Sequence, residues 1–258
     1  LTSAGNAGGG GSGGSIWLHC NTISGYGKLL ARGGNGSYFI DSIGNELYGG
    51  GGGGGRIAMY FKENTTFSEF RYLANGGWPG MNCNTCEGGG PGTVFLYHMI
   101  QNHRTLIIDN DNAPAARNKY VNWEDISKDG GRAWILPLSG HHRFASSYFV
   151  YEFEELQIYG HGHLAVLPPK DVNVVNIETS SIIASMSSNS SDYNVTIHFR
   201  YLIGDRTGSI HIGKNQYMNL LREEIDLPFN CYVYNGAYLG LAPVTLVHDV
   251  EIHLSGIL

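Results

Sequence analysis

Charge is scarce in this sequence: Asp, Glu, Lys and Arg make up 15% of its 258 residues. The formal net charge is -6 and the basic residues stand singly, which removes the electrostatic basis for binding nucleic acid or an anionic membrane. Cysteine is scarcer still, with four in the chain. Cys83 and Cys86 form one CxxC, and Cys20 and Cys231 stand far apart in strand-like runs. A single CxxC without a second pair falls short of a zinc site, and no βαβ unit surrounds it as a redox motif requires. The expectation is a local disulfide between Cys83 and Cys86 or two ordinary thiols, with Cys20 and Cys231 as buried thiols. No apolar run approaches the roughly 18 residues of a membrane-spanning helix, so no membrane insertion is expected. Capped amphipathic helices are also hard to find. GNAGGGGSGG satisfies GxGxxG trivially, but no GK[ST] occurs and no GxSxG elbow precedes a helix. No cofactor is called for. No signal peptide precedes Leu1, so the chain reads as a mature product or a piece of a longer one.

Glycine, by contrast, is abundant, at 38 residues. Three segments join a glycine run to an alternating apolar strand: GGGGSGGSIWLHC from Gly8, GGGGGGGRIAMYF from Gly49 and GGGPGTVFLYH from Gly88. Their strands align on Ile16, Ile57 and Val94, spacings of 41 and then 37 residues. LARGG at Leu30–Gly34 matches LANGG at Leu73–Gly77, 43 residues on, in the middle of each repeat. Two independent matches near one period identify internal repetition.

Within each strand Ile16, Leu18 and Cys20, then Ile57, Met59 and Phe61, then Val94 and Leu96 share one face, because side chains alternate. Trp17 and His19, Ala58 and Tyr60, and Phe95 and Tyr97 take the other. Stacked repeats put aliphatic upon aliphatic, the pattern expected of an all-β protein built as a parallel β-solenoid (β-helix) with Gly-rich loops and one irregular insertion. If strands lie roughly 4.8 Å apart, each glycine run lies on its equivalents, where side chains would collide. That accounts for seven consecutive glycines at Gly49–Gly55 beside a strand, their backbone groups bonded to neighbouring runs.

The glycines are uneven: 27 of the 38 precede residue 93. Residues 1–112 read as Gly-rich β-helix repeats, 113–147 as an insertion or lateral loop, and 148–258 as compact coils of the same solenoid. In this last part, strand centres near Ile210, Tyr232 and Ile252 give a period of 22 and then 20 residues.

GGGGSGGSIWLHCNTISGYGKLLARGGNG followed by GGGGGGGRIAMYF resembles the glycine-rich β-helical region of large secreted or cell-surface proteins, among them the building proteins of mastigonemes, the hairs on algal flagella. DLPFNCYVYNGAYLGLAPVTLVHDVEIHLSGIL is similar to the coils that accompany that region. The resemblance implies extracellular structural work and brings no catalytic residue with it. Four N-x-[ST] sequons, at Asn35, Asn64, Asn189 and Asn194, point the same way, to a secreted chain carrying N-linked glycans at loop-like sites. Neither end reads as a polar cap, so either the chain continues or its ends join copies of itself or other fibre subunits.

Parallel β-helices also house polysaccharide lyases and hydrolases, and acidic clusters bear on that class. Asp109 and Asp111 in IIDNDNAP read as a turn after a strand: position 12 counted from Asp109 is Tyr120, so no EF-hand follows. Glu152, Glu154 and Glu155 in YEFEELQIYG read as a solvated strand face, and no pair is marked as acid and base. His161 and His163 flank Gly162 without a nearby ligand to complete a metal set, and His141, His142, His211, His248 and His253 read as turn and strand histidines. The sequence therefore predicts a structural subunit of an extracellular fibre, filament or appendage and not an enzyme. The alternatives are a glycan-binding adhesin, supported by 16 Tyr and 4 Trp, and a β-helical lyase or hydrolase.

Overall fold

The computed structural model describes residues 7–64, 71–81, 83, 87–113, 133–135, 148–166, 184–189, 194–205, 207–212, 217–220, 224–225, 230–233, 238–241, 245–246 and 250–252. Among these residues every regular element is a β-strand. The first ten are β1 (Ser15–His19), β2 (Thr22–Ile23), β3 (Lys28–Leu30), β4 (Tyr38–Ile40), β5 (Glu46–Tyr48), β6 (Arg56–Phe61), β7 (Glu63–Asn64), β8 (Arg71–Leu73), β9 (Thr93–His98) and β10 (His103–Asp109). Then come β11 (Ala133–Ile135), β12 (Tyr148–Tyr159), β13 (His163–Val166), β14 (Ala184–Asn189), β15 (Asn194–Gly204), β16 (Ser209–Ile212), β17 (Tyr217–Leu220), β18 (Glu224–Ile225), β19 (Asn230–Val233), β20 (Tyr238–Leu241), β21 (Thr245–Leu246) and β22 (Val250–Ile252).

Side-chain alternation sets the core. In β6, Ile57, Met59 and Phe61 are buried while Arg56, Ala58 and Tyr60 face outward to differing degrees. Strands β1, β6 and β9 pair in parallel with Ile16 opposite Ile57 and Ile57 opposite Val94; Leu18, Met59 and Leu96 form the next row. Each fully buried aliphatic side chain contributes about 1.5–3 kcal/mol. Strand β2 pairs with β7 and β3 with β8, also in parallel, with Leu30 opposite Leu73 as the two LAxGG segments align. Ala31, Ala74 and Ile107 complete this core cluster.

The expected parallel β-solenoid does not form. The largest sheet is mixed, nine strands in the order β1-β6-β9-β10-β12-β15-β14-β17-β20. Three of its pairings, β9 with β10 and β14 with both β15 and β17, are antiparallel. The reversal after β9 has a local cause. Residues 99–102 form a turn, with Asn102 at φ 50° and the Gln101 N–H donating to His98 Nδ1 at 3.1 Å. A link that short closes a hairpin, whereas a parallel neighbour needs a crossover of roughly a dozen residues or more. Asn189 and Asn194, paired across β14 and β15, are separated by an equally short link.

A second sheet, β11-β13-β16-β19-β22, is parallel throughout. It contains the strands around Ile210, Tyr232 and Ile252, but with Ile210 opposite Cys231 and Cys231 opposite Val250, so the spacings are 21 and 19 residues and not the expected 22 and 20. Of the stretch 113–147 read as an insertion, only Ala113 and β11 are among the described residues, and β11 is a member of this sheet.

The glycine runs are not loops between strands but an ordered bundle. Five extended runs, 8–14, 31–37, 49–55, 74–80 and 87–92, lie side by side. The run 49–55 shows the rule. Its N–H groups at Gly49, Gly52 and Gly55 donate to the carbonyls of Ser37, Gly34 and Ala31, and those at Gly51 and Gly54 donate to Glu87 and Gly90. The carbonyls of Gly50 and Gly53 accept from Gly10 and Gly13. Each bonding direction recurs every third residue, the geometry of a threefold extended helix in which successive peptides face different neighbours. Such packing admits only glycine inside. A Cβ on Gly54 would lie 1.8 Å from the Ala74 carbonyl oxygen, and one on Gly77 would lie 1.9 Å from that of Gly34. The far side of the bundle is closed by Asn110, fully buried at the end of β10, whose Oδ1 accepts the Gly76 N–H at 2.9 Å and whose Nδ2 donates to the Gly89 carbonyl at 3.3 Å.

Candidate functional site

Among the described residues, the near side of the bundle, run 8–14 and β1, is open. Gly49, Gly52 and Gly55 are glycine because the carbonyls of Gly8, Gly11 and Gly14 lie 2.0, 2.1 and 1.9 Å from where their Cβ atoms would be. Gly89 and Gly92 meet the carbonyls of Gly52 and Gly55 at 1.8 Å in the same way. The register Ile16–Ile57 makes Gly8, Gly11 and Gly14 the equivalents of Gly49, Gly52 and Gly55. Yet a Cβ on Gly11 or Gly14 would meet nothing within 4 Å, and one on Gly8 only the Ser37 hydroxyl at 3.8 Å. The backbone follows suit. Among the described residues the N–H groups of Gly8, Gly11 and Gly14 find no acceptor and the carbonyls of Gly9 and Ser12 no donor.

Among the described residues, strand β1 is likewise the outermost strand of the nine-stranded sheet, and β2 and β3 pair on one side only. Large apolar side chains are exposed here: Trp17 at 76%, Tyr26 at 81% and Leu30 at 52%, with Leu18 at 36% where its row partner Met59 is fully buried. An edge of this kind, apolar apart from exposed Lys28 in β3, is a template for another strand.

Trp17 also ends a row of rings across the outer face of the sheet. Trp17 meets Tyr60 edge to face at 6.2 Å, Tyr60 meets Phe95 at 5.7 Å, and Phe95 meets Phe153 at 6.1 Å. Arg104 lies over Tyr97, 5.3 Å from the ring centre. The row is contiguous because Trp17, Ala58 and Phe95 are register partners, so the non-core faces of three strands align.

The acidic residues singled out in the sequence are engaged in structural contacts. Glu154 accepts the Arg104 backbone N–H at 2.5 Å, Glu152 pairs with the Arg104 guanidinium at 3.1 Å, and Glu155 lies 3.3 Å from His103 Nε2. Asp109 Oδ1 accepts the Asp111 N–H at 2.7 Å, the Asx turn the sequence predicts, and Asp111 reaches Arg32 at 3.4 Å across exposed surface. Asp205, not singled out in the sequence, holds the neighbouring turn: it accepts the Gly160 N–H at 2.9 Å, the Thr207 N–H at 3.0 Å and the Thr207 hydroxyl at 2.6 Å.

The two aspartates titrate in opposite directions. Burial raises the Asp109 carboxyl above its ordinary 3.8, with the nearby Asp111 and Asp205 charges adding to the rise and the Asp111 N–H opposing it. Burial also pushes Asp205 upward, but the Thr207 hydroxyl and the Gly160 and Thr207 N–H groups more than offset it and hold the group low. A folded pKa above the unfolded one costs stability as pH rises from the ordinary carboxylate range through the raised value; a depressed one contributes stability above that range and loses it in acid. Asp109→Asn, which keeps the accepting oxygen, is therefore expected to raise the unfolding midpoint at pH 7 and not at pH 3. Asp205→Asn is expected to lower it at pH 7, with the difference closing in acid. Thermal unfolding of both variants between pH 3 and 8 checks the pair.

The remaining sequence candidates do not converge. Asn35 is exposed, with its Oδ1 accepting the Trp78 N–H at 2.9 Å. Asn64, Asn189 and Asn194 lie in β7, β14 and β15, and their side chains are outside the described residues. Cys83 is disulfide-bonded, and Cys86 is outside the described residues. Cys20 is a free, half-buried thiol donating to the Tyr60 carbonyl, and Cys231 is in β19. His161 is exposed in a turn at φ 60° and His163 is buried in β13, so they do not present two imidazoles to one side. His211 lies in β16, while His141, His142, His248 and His253 are outside the described residues. Among the described residues no three His, Cys, Asp or Glu side chains are grouped as metal ligands.

Sequence reasoning reads the first repeat as uncapped, but the equivalence of Gly8, Gly11 and Gly14 with occupied positions shows only once the runs are laid together. Sequence reasoning missed Asn110; the DNDN turn marked a place but not a contact. A scan against family models, a search of curated proteins and a search of solved structures each found no match.

Proposed function

We propose that this chain is a structural component of an extracellular fibre, filament or surface appendage, joined to its neighbours through the open edge of run 8–14 and β1, and that it turns over no substrate. The observation that carries the reading is the mismatch at that edge. Positions kept as glycine in the first repeat have the same backbone donors as their equivalents in later repeats, but among the described residues those donors find no acceptor. An edge of unpaired donors, acceptors and exposed aromatic surface gains by association, since each contact satisfies several backbone groups together. Sequons at Asn35, Asn64, Asn189 and Asn194 and the Gly-rich resemblance favour the cell exterior. The test is the assembly state of native material by light scattering and electron microscopy, with activity assayed on acidic and neutral polysaccharides. Particles or filaments of several copies are expected; a monodisperse monomer that cleaves any of the polysaccharides overturns the reading.

Glycosylation is checked separately. Intact mass should fall after enzymatic removal of N-linked glycans, and Asn35→Gln should remove one step of that change. An unchanged mass would remove the sequon argument for secretion.

A second reading, glycan binding, draws on the ring row ending in exposed Trp17. Aromatic faces stack on sugar rings, so Trp17→Ala would abolish retention on a glycan column if this were the activity.

A further inference from the structure

The open edge is specific about what covers it. We propose that run 8–14 and β1 dock a glycine-rich extended segment of a second polypeptide, laid parallel to the run, with a strand continuing along β1. This rests on the reading of the chain as an assembly component and adds the chemistry of the partner.

The protein contains this contact twice already. Where run 49–55 receives run 8–14, the incoming chain donates from Gly10 and Gly13 to the carbonyls of Gly50 and Gly53. Where run 87–92 receives run 49–55, Gly51 and Gly54 donate to Glu87 and Gly90. In both, the incoming carbonyl lies against a glycine Cα of the receiving run, within about 2 Å of any added Cβ. The strands that follow pair in parallel, β1 on β6 and β6 on β9. Transferred to the first run, the same geometry places two donors on the free carbonyls of Gly9 and Ser12. It also places a carbonyl against each of Gly8, Gly11 and Gly14, where there is now open space. The partner must therefore lack bulky side chains on the face that approaches the glycines and must carry N–H groups three residues apart. A glycine-rich segment meets both demands; an ordinary amphipathic strand meets neither. The half-buried Ile16 and exposed Leu18 then receive an aliphatic row, as Ile57 and Met59 do.

The far side of the bundle does not offer the reciprocal surface. There the position equivalent to the donor Gly54 is Pro91, which has no N–H, and Asn110 covers the neighbouring groups. Docking is thus one-sided.

The test uses the whole chain, uniformly labelled with 15N, and a synthetic peptide, GGGGGGGRIAMYF, the chain's own second repeat. Saturable binding is expected, with shifts confined to run 8–14 and β1 and slowed amide exchange in β1, whose equivalents Arg56 and Thr93 donate to the incoming carbonyls of Gly14 and Gly55. A peptide with proline at the third and sixth positions, equivalent to Gly51 and Gly54, should lose it. Gly11→Ala should leave the thermal midpoint unchanged, because its Cβ meets nothing within 4 Å, yet weaken the peptide by about 100-fold. No binding at millimolar peptide, or binding indifferent to Gly11→Ala, overturns the proposal. So does a symmetric dimer that forms without peptide and slows exchange of the β1 amides, which would give the edge to a second copy. If native material assembles while the β1 amides stay exposed, this site is wrong and the structural reading stands; if native material is monomeric, the reading itself fails.

Discussion

Gly54→Ala is expected to lower the unfolding free energy by about 3 kcal/mol, while Gly53→Ala, one residue away, should leave it unchanged or raise it by about 0.5 kcal/mol. Composition treats the two glycines alike; the bundle does not. A Cβ on Gly54 would lie 1.8 Å from the Ala74 carbonyl oxygen and 2.5 Å from the Gly92 nitrogen, both backbone atoms that no rotamer change can move aside. Relief requires run 74–80 or run 87–92 to shift, and the Gly54–Gly90 and Gly92–Ala74 hydrogen bonds go with it. Gly53 points its missing side chain into open space, so alanine there costs no contact and removes conformational freedom from the unfolded chain. Chemical denaturation of both variants decides the matter. Equal destabilisation would mean that the run is not packed as described.

Asn110→Ala is expected to cost about 3 kcal/mol, from two buried backbone groups left without partners at once. Asn110 is fully buried and bridges the bundle, accepting from Gly76 and donating to Gly89, while its own N–H donates to the Tyr159 carbonyl. The truncation removes both side-chain bonds and opens a gap too small to repack. Hydrogen exchange separates this from a general loss of packing: the Gly76 amide should lose protection first, ahead of the amides of β6. If the two are lost together, Asn110 acts through global stability rather than as the seal of the bundle.

Several features of the candidate site were legible in the chain before any geometry. The spacing of Ile16, Ile57 and Val94 predicts their register, and the alternation in Arg56–Phe61 predicts which side chains are buried, because a strand has only two faces and Met59 and Ile57 lose too much by facing water. The second match, LARGG with LANGG, likewise corresponds to the β3–β8 pairing. Where apolar periodicity and glycine placement agree, local sequence carries the answer.

The course of the chain after β9 was not legible in that way. Strand β10 is as apolar as a parallel neighbour would be, and side-chain pattern is blind to strand direction. The link decides, and at residues 99–102 its shortness permits only a hairpin, which makes the sheet mixed and ends the parallel stacking that the repeats predict.

Sequence by itself determined where the glycines stand, which strand faces are apolar and the register of the first three repeats, since these follow from residue identity and from spacings along the chain. Only the tertiary structure decided which glycines are obligatory and which lie open, that Asn110 seals one side of the bundle, and that among the described residues the N–H groups of Gly8, Gly11 and Gly14 find no acceptor. The physical reason is that a glycine carries no side chain whose polarity could announce its surroundings. Its role is defined by the backbone atoms that approach it, and those come from runs dozens of residues away.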